Sequence, residues 1–128
     1  MSGSKAAVVT AKAPAAIGPY SQGVSAGELV FVSGQVPLRA DGTLVAGTVA
    51  EQTEQCLNNV LEILQAAGLA MDAVVKTTVY MTDLGRFAEM NEVYAKRFPA
   101  PFPARATVQV SALPKGAAVE IDAVAVRR

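Results

Sequence analysis

The strongest candidate for binding chemistry is Arg105, which stands near the start of a predicted strand. From Pro103 to Val110, small or apolar residues alternate with Arg105, Thr107 and Gln109, and a period of two is typical of a strand with one face on a core. The pattern predicts that Arg105 projects from the face opposite the apolar row. A guanidinium held on a rigid strand offers paired donors that match a carboxylate. The alternatives are a solvated surface residue or half of a structural ion pair.

Two more polar residues stand at positions where chemistry is possible. Asn91 interrupts an apolar stripe in a predicted helix, where a buried amide without partners costs about 1–3 kcal/mol. It either makes a local structural hydrogen bond or supports a strand or a ligand site. Glu120 alternates with Val119 and Ile121 in the last predicted strand. If the last two strands pair as a hairpin, Glu120 shares the Arg105 face of the sheet.

Tyr20 and Ser33 require hydrogen-bond partners wherever the fold buries them. Tyr20 ends a loop whose prolines and glycine disfavour a helix or a strand. Ser33 lies in a strand with apolar residues on both sides, which predicts that both faces of this strand are covered. Each hydroxyl could serve either the fold or a site.

The elements that must position these side chains predict an α+β fold. The first helix is the clearest: Thr48 and Glu51 form a capping box, an apolar stripe that contains Cys56 follows, and Gly68 ends the helix. The second helix is predicted at about 84–98. Strands are predicted at 6–10, 23–26, 28–36, 73–81, 103–110 and 118–126. The strand–helix–strand crossover requires parallel pairing, so we expect a mixed sheet with two helices packed on one face.

Composition limits the classes of function. The 128 residues suggest a single domain over 1–128, with residues 1–5 as a loose end. The chain has no histidine, one cysteine and zero net charge, which disfavours histidine catalysis, a metal site, nucleic acid and anionic membranes. A single cysteine fits a reducing, cytoplasmic location. Only 17% of residues are charged, which suggests that subunits cover part of the surface.

Several short segments together resemble the RidA (YjgF) family of enamine and imine deaminases. They occur in the family's order and extend from about residue 13 to the last residue. Each is weak alone, but the combination is specific. The segments are Ile17–Gln22, Ser33–Pro37, Val75–Tyr80, Asn91–Tyr94, Pro103–Arg105, Leu113–Gly116 and Val119–Ile121.

This resemblance implies a chorismate-mutase-like fold and a homotrimer whose sheets form a central barrel, with sites in clefts between subunits. The implied activity is that of a hydrolase acting on C–N bonds. It would convert 2-aminoacrylate, 2-iminopropanoate and 2-iminobutanoate to 2-oxo acids and ammonia. No cofactor and no metal would be required, and the partners would be small 2-imino and 2-oxo acids.

The resemblance also implies a role for each matching residue. Arg105 would hold the substrate carboxylate, Glu120 would act on the attacking water, and Tyr20 would close the pocket or donate a proton to the leaving nitrogen. The matching substrate-binding positions are Ser33, Asn91 and Thr107. Many members carry cysteine at the Thr107 position, so a thiol-dependent role there is excluded, although the residue could still line the pocket.

Two other functions remain open at this point. The same anion site could serve a regulatory protein that binds a 2-oxo acid without turnover. Some relatives are described as endoribonucleases or translation inhibitors, but the chain has no histidine, no basic patch and few aromatic residues for base stacking.

Overall fold

The structure, a computed structural model, describes residues 4–127. Its element order confirms the α+β class. The elements are β1 Lys5–Val8, β2 Gly23–Ala26, β3 Leu29–Gln35, α1 Val49–Ala66, β4 Val74–Met81, α2 Phe87–Arg97, β5 Ala104–Gln109 and β6 Val119–Val126. Short 3-10 turns at Met71–Ala73, Leu84–Arg86 and Pro114–Gly116 precede β4, α2 and β6. The predicted loose end lies partly outside the described residues, and β1 begins at Lys5.

The described strands form one six-stranded sheet in the order β1-β2-β3-β6-β4-β5. All neighbours pair antiparallel except β4 and β5, which pair parallel because α2 connects them as a crossover. β1 and β5 are therefore the two edges. The mixed sheet confirms the prediction from the strand–helix–strand order.

Helix α1 begins and ends as its sequence predicts. The Thr48 hydroxyl accepts from the Glu51 amide at 3.1 Å, and the Glu51 carboxylate accepts from the Thr48 amide at 2.8 Å. Gly68 adopts φ 80°, and the Leu69 amide donates to the Leu64 carbonyl at 2.9 Å. The buried stripe includes Cys56, Leu57, Val60, Ile63 and Leu64, and it packs over β6 and β3.

Helix α2 begins later than predicted because a turn precedes it. The Asp83 carboxylate accepts from the Gly85 amide at 2.8 Å, which shapes the 3-10 turn before Phe87. The helix buries Met90 and Tyr94 and packs against α1. The Tyr94 hydroxyl lies 2.6 Å from the Thr77 hydroxyl of β4. Both helices therefore cover the same face of the sheet, as predicted.

The predicted hairpin between the last two strands is wrong. β6 lies between β3 and β4, and β4 separates it from β5. The connection after β5 crosses the end of β4, where the Val110 amide donates to the Met81 carbonyl at 2.8 Å. A hairpin is the usual outcome for neighbouring antiparallel strands. Here, the parallel crossover places β5 at the edge, and β6 fills the gap between β3 and β4.

The predicted orientation of β5 is also wrong. Arg105 and Thr107 are half-buried on the helix-covered face, while Ala104, Ala106 and Val108 are exposed on the other face. Alternation shows that a strand has two unlike faces but does not say which one is covered. The apolar row here consists of small residues at the edge of the sheet, and the long arginine stem can pack against helix α2 instead.

The other face of the sheet, which we call the open face, is not covered by either helix of residues 4–127. Exposed Leu29 and Phe31 of β3 lie opposite Val126 and Val124 of β6, with exposed Val108 near the β5 edge. A row of polar residues also lies on this face, comprising Lys76, Thr78, Tyr80, Glu120 and Asp122. The expected cover over both faces of β3 is therefore missing within one chain.

Candidate functional site

The first candidate site, which we call the arginine cleft, lies between the end of α2 and the start of β5. Its volume is about 390 Å³, and its walls are formed by Asn91, Tyr94, Ala95, Phe102, Pro103 and Arg105. Arg105 is the second residue of β5. Because β5 pairs parallel with β4, Arg105 lies beside Thr77 and under α2. The helix, the strand and the proline-rich loop before it thus enclose a small opening with Arg105 and Asn91 in its walls.

Neutral groups hold the Arg105 guanidinium. One terminal nitrogen donates to the Asn91 side-chain oxygen at 2.7 Å, and the central carbon lies over the rings of Tyr94 and Phe87 at 4.7 and 5.4 Å. Within residues 4–127, no ion pair includes Arg105. A guanidinium has five N–H donors, so most of them stay available for an anion. Asn91 therefore supports the strand residue, which was one of the two predicted roles.

Thr107 lies two residues along β5 on the same face as Arg105. Its hydroxyl is buried and is the one such side-chain atom without a hydrogen-bond partner among the residues that the structure describes. An unsatisfied buried hydroxyl costs about 1–3 kcal/mol. This hydroxyl is therefore a polar group without a partner, beside the Arg105 side chain.

The second candidate site, which we call the glutamate cleft, lies at the ends of β3 and β6 near the open face. Its volume is about 590 Å³. The walls are mainly apolar and include Tyr20, Ser33 and Glu120. The remaining wall residues are Pro14, Ala15, Ile17, Gln22, Gly34, Gln35, Val36, Leu38, Pro114 and Lys115.

Glu120 is the acid–base candidate of this cleft. Burial raises the pKa of its carboxyl group, and the negative charge of Asp122 raises that pKa further. Asp122 is held in place because it accepts from the Tyr80 hydroxyl at 3.1 Å and from the Thr78 amide at 3.0 Å. A carboxylate with a raised pKa is a stronger base toward water. Arg105 is not among the causes of this shift.

Glu120 depends on a glycine for its position. A Cβ atom built on Gly34 would fall inside contact distance of the Glu120 Oε2 atom. Gly34 lies in the irregular part of β3, where the register with β6 shifts between Val32 and Gln35. The close approach of this backbone to the carboxylate therefore requires glycine.

The loop that carries Tyr20 is fixed by a buried glutamine. Gln22 accepts from the Thr10 amide at 2.8 Å and donates to the Thr10 and Pro14 carbonyls at 3.0 and 2.8 Å. Ser33 donates to the Ser21 carbonyl at 2.6 Å, so its hydroxyl has the partner that its sequence position requires. Tyr20 is exposed, and its hydroxyl accepts from the Ile17 amide at 3.3 Å.

Within one chain, the two clefts are separate. Arg105 lies on the helix-covered face, whereas Glu120 lies on the open face two strands away, roughly 10 Å in the plane of the sheet. The expectation that both share one face is therefore wrong. The structure groups Tyr20, Ser33 and Glu120 in one cleft, and Arg105 with Asn91 in the other. Thr107 lies beside Arg105.

Sequence reasoning missed several residues of these clefts. It identified the α2 stripe that contains Phe87 and Tyr94 but did not connect the rings with Arg105; their i, i+4, i+7 spacing with Asn91 was the available signal. Gln22 was part of a noted segment without a role. Lys115 adopts φ 60° in the glutamate cleft, and the sequence gives no indication of this beyond a turn.

In the part of the chain that the structure describes, no group of three or more His, Cys, Asp or Glu residues is placed to hold a metal ion. None of the helices over residues 4–127 combines the length and the apolar character needed to cross a bilayer.

A known family matches nearly the whole chain. The family profile described as Endoribonuclease L-PSP matches residues 10–127. Bovine 2-iminobutanoate/2-iminopropanoate deaminase is 52% identical over 121 residues, which cover 94% of this chain and 88% of that protein. The chain therefore belongs to the Endoribonuclease L-PSP family, which confirms the resemblance described above.

Solved structures support the same relationship. The fold is similar to that of the YjgF gene product from E. coli, with a TM-score of 0.91, 46% identity and coverage of 96% and 99% of the two chains. E. coli TdcF with bound serine has a TM-score of 0.91 at 44% identity, with the same coverage. The mixed sheet with two helices is therefore shared with these structures.

Proposed function

We propose that this protein hydrolyses small 2-imino acids, such as 2-iminopropanoate and 2-iminobutanoate, to 2-oxo acids and ammonia. The observation that carries the proposal is the Arg105 guanidinium, which is half-buried in a cleft and held only by neutral groups. Such a group is an anion site that suits a carboxylate. The name of the bovine relative and the serine in TdcF support a ligand the size of an amino acid.

The chemistry needs a bound anion, a placed water and a proton acceptor. Arg105 binds the carboxylate, with Asn91 and Thr107 beside it. Water adds to the imine carbon, the π electrons of the C=N bond move to nitrogen, and Glu120 accepts the proton from the water. Glu120 returns this proton to nitrogen, which gives the carbinolamine. The carbinolamine then loses its hydroxyl proton to Glu120, which returns it to nitrogen as the C=O bond forms and the C–N bond breaks. The returned proton leaves with nitrogen as ammonia, and Tyr20 is placed in the same cleft as Glu120.

We further propose that the two clefts meet between subunits of a homotrimer with a central, chorismate-mutase-like barrel. The support is that Arg105 and Glu120 lie on opposite faces of one chain, so one chain alone cannot bring both groups to one substrate. The apolar residues of the open face give a surface for a second copy.

Ser33 would contribute to substrate binding from the glutamate cleft. A buried Cys56 fits a reducing compartment such as the cytoplasm.

The lifetime of the imine tests the proposal. Serine dehydratase generates 2-aminoacrylate, which tautomerises to 2-iminopropanoate, and its decay is followed spectroscopically. We expect the wild-type protein to speed this decay and Arg105→Ala to lose the acceleration by about a hundredfold or more, since a charged hydrogen-bonded anchor is removed.

The matched control is Arg86→Ala, an exposed arginine in a surface ion pair with Glu89. It should keep the wild-type rate. Equal acceleration by the wild type and Arg105→Ala would refute Arg105 as the anchor. Binding of 2-oxobutyrate without any acceleration would favour a 2-oxo acid sensor. Salt-sensitive RNA cleavage would instead favour the ribonuclease named in the family description.

A further inference from the structure

We infer that Tyr94 and Phe87 are positioning residues, which fix the Arg105 guanidinium through their rings so that its remaining N–H donors stay available to a carboxylate. This inference rests on the proposed function, because it assigns the aromatic rings to the same anion site. It adds a way of holding a cation in a cleft without neutralising it.

The geometry begins with helix α2. Phe87, Asn91 and Tyr94 are spaced i, i+4 and i+7, so the three side chains lie on one face of the helix. That face is the one that meets Arg105: the amide oxygen of Asn91 accepts from one terminal nitrogen, and both rings lie within cation–π distance of the guanidinium carbon. About two turns of helix thus supply the side-chain hydrogen bond and both ring contacts of the Arg105 guanidinium.

Tyr94 is itself held in place by its packing and by a hydrogen bond. It is buried, its ring packs on Phe98 with centroids 4.6 Å apart, and its hydroxyl lies 2.6 Å from that of Thr77. Burial raises the pKa of the Tyr94 phenol, so the group stays neutral at pH 7 and offers the cation a ring face rather than a counter-ion.

Because the groups that contact the Arg105 guanidinium are neutral, they affect how it binds a ligand. A carboxylate at the position of Asn91 or Tyr94 would pair with Arg105 and compete with an incoming anion. Rings and one amide oxygen restrict the motion of the guanidinium and leave its charge unpaired. Arg105 therefore meets a ligand already oriented, and less rotamer entropy is lost on binding.

The test compares two ligands of similar size, one charged and one neutral: 2-oxobutyrate and its amide, 2-oxobutanamide. Binding of each is measured by calorimetry on the intact protein, together with imine decay. Tyr94→Leu should weaken 2-oxobutyrate binding by about two- to thirtyfold, the range from an exposed to a desolvated cation–π contact, and leave the binding of the amide unchanged. Tyr94→Phe keeps the ring and should stay within about twofold of wild type.

Two further variants separate an effect on Arg105 from a general loss of stability. Val60→Ala removes buried apolar volume from α1 and does not line the arginine cleft, so it should destabilise the fold without changing the ratio of the two affinities. Phe87 is partly exposed, so Phe87→Leu should fold even if Tyr94→Leu does not, and it should also weaken 2-oxobutyrate selectively.

The outcomes separate the inference from the proposed function. Selective loss for 2-oxobutyrate in Tyr94→Leu or Phe87→Leu supports the inference. The inference is overturned if both variants bind 2-oxobutyrate as tightly as the wild type, or if the acid and the amide are weakened equally. The proposed function still stands in that case, provided that the wild-type protein speeds imine hydrolysis. A wild-type protein that neither binds 2-oxobutyrate nor speeds imine decay overturns both.

Discussion

Arg105 and Glu120 carry opposite charges, and the fold holds each of them by different means. Arg105 is surrounded by an amide and two rings, which leave its charge available. Glu120 is pressed against Gly34 and lies near the fixed carboxylate of Asp122, which makes its ionised form less favourable. The first arrangement suits binding of an anion, and the second suits acceptance of a proton.

The Asp122→Asn substitution should shift the pH dependence of imine hydrolysis. Glu120 must be ionised to accept a proton, so activity falls as the pH drops through its raised pKa. Removal of the neighbouring negative charge lowers this pKa, and the acid limb of the kcat/KM profile should move to lower pH by up to about one unit. Asparagine keeps one oxygen that can accept from the Thr78 amide, and its nitrogen can donate to the Tyr80 hydroxyl. Profiles of the two proteins over the acid range give the measurement.

Asp72→Asn is the control for this prediction, because Asp72 is an exposed carboxylate in the turn before β4. Its profile should coincide with that of the wild type. If Asp122→Asn left the acid limb in place, or moved it to higher pH, Asp122 would not be the source of the raised pKa of Glu120.

Among the elements, α1 shows how far local sequence signals reach. The capping residues and the terminal glycine are local features, and both ends of the helix follow from them. The orientation of β5 could not be predicted in the same way. It depends on which strand lies beside β5 and on the cover from α2, and these are decided by contacts between distant segments. The alternation of Ala104, Arg105 and Ala106 is compatible with either face.

The same limit applied to the candidate site. Polar residues with a predicted need for partners, such as Ser33 and Asn91, were found with those partners. The separation of Arg105 from Glu120 was missed because it followed from strand order, which no short segment encodes. Gly34 illustrates the point, since its need for close approach becomes visible only when β6 lies beside β3.

The loop before β2 should depend on Gln22 for its stability. Gln22→Leu keeps the approximate volume but leaves the Thr10 amide and the Pro14 carbonyl without their partner. We expect a loss of about 1–3 kcal/mol in the free energy of unfolding, measured by urea titration, and faster hydrogen exchange at the Thr10 amide.

Gln65→Leu provides the comparison, because this glutamine is exposed near the end of α1. A surface change of this kind should alter stability by no more than about 0.5 kcal/mol. Equal losses in the two variants would show that the hydrogen bonds of Gln22 are not what stabilises the loop.

At the scale of the whole molecule, the two faces of the sheet differ in how far they are covered. One side of the sheet is closed by both helices, and the other has exposed Leu29, Phe31 and Val108 beside half-buried Val124 and Val126. Exposed apolar residues at this density mark an interaction surface. In the proposed trimer this surface would be buried, and the low charge content noted in the sequence would be accounted for.

A charge on the open face should therefore separate the subunits. We expect light scattering of the wild type to give three times the 13.2-kDa chain mass, and Phe31→Glu to shift the protein toward the single-chain mass with its helix content retained. Burial of an unpaired carboxylate at an interface is the reason. Imine hydrolysis should fall together with the mass.

Val9→Glu tests whether any added charge has this effect. Val9 is more exposed than Phe31, at 76% against 43%, and follows β1 outside the sheet pairs. It should leave the mass unchanged. A wild-type protein that is monomeric and active would contradict the proposed assembly.

The placement of Arg105 and Glu120 on opposite faces has a genetic consequence. If each site takes its arginine from one chain and its glutamate from another, then an Arg105→Ala chain and a Glu120→Gln chain are each inactive alone. Mixed assemblies would contain intact sites, about one in four for random equal mixing in a closed ring. A cell that expresses both defective alleles should thus regain hydrolysis that neither allele supports by itself.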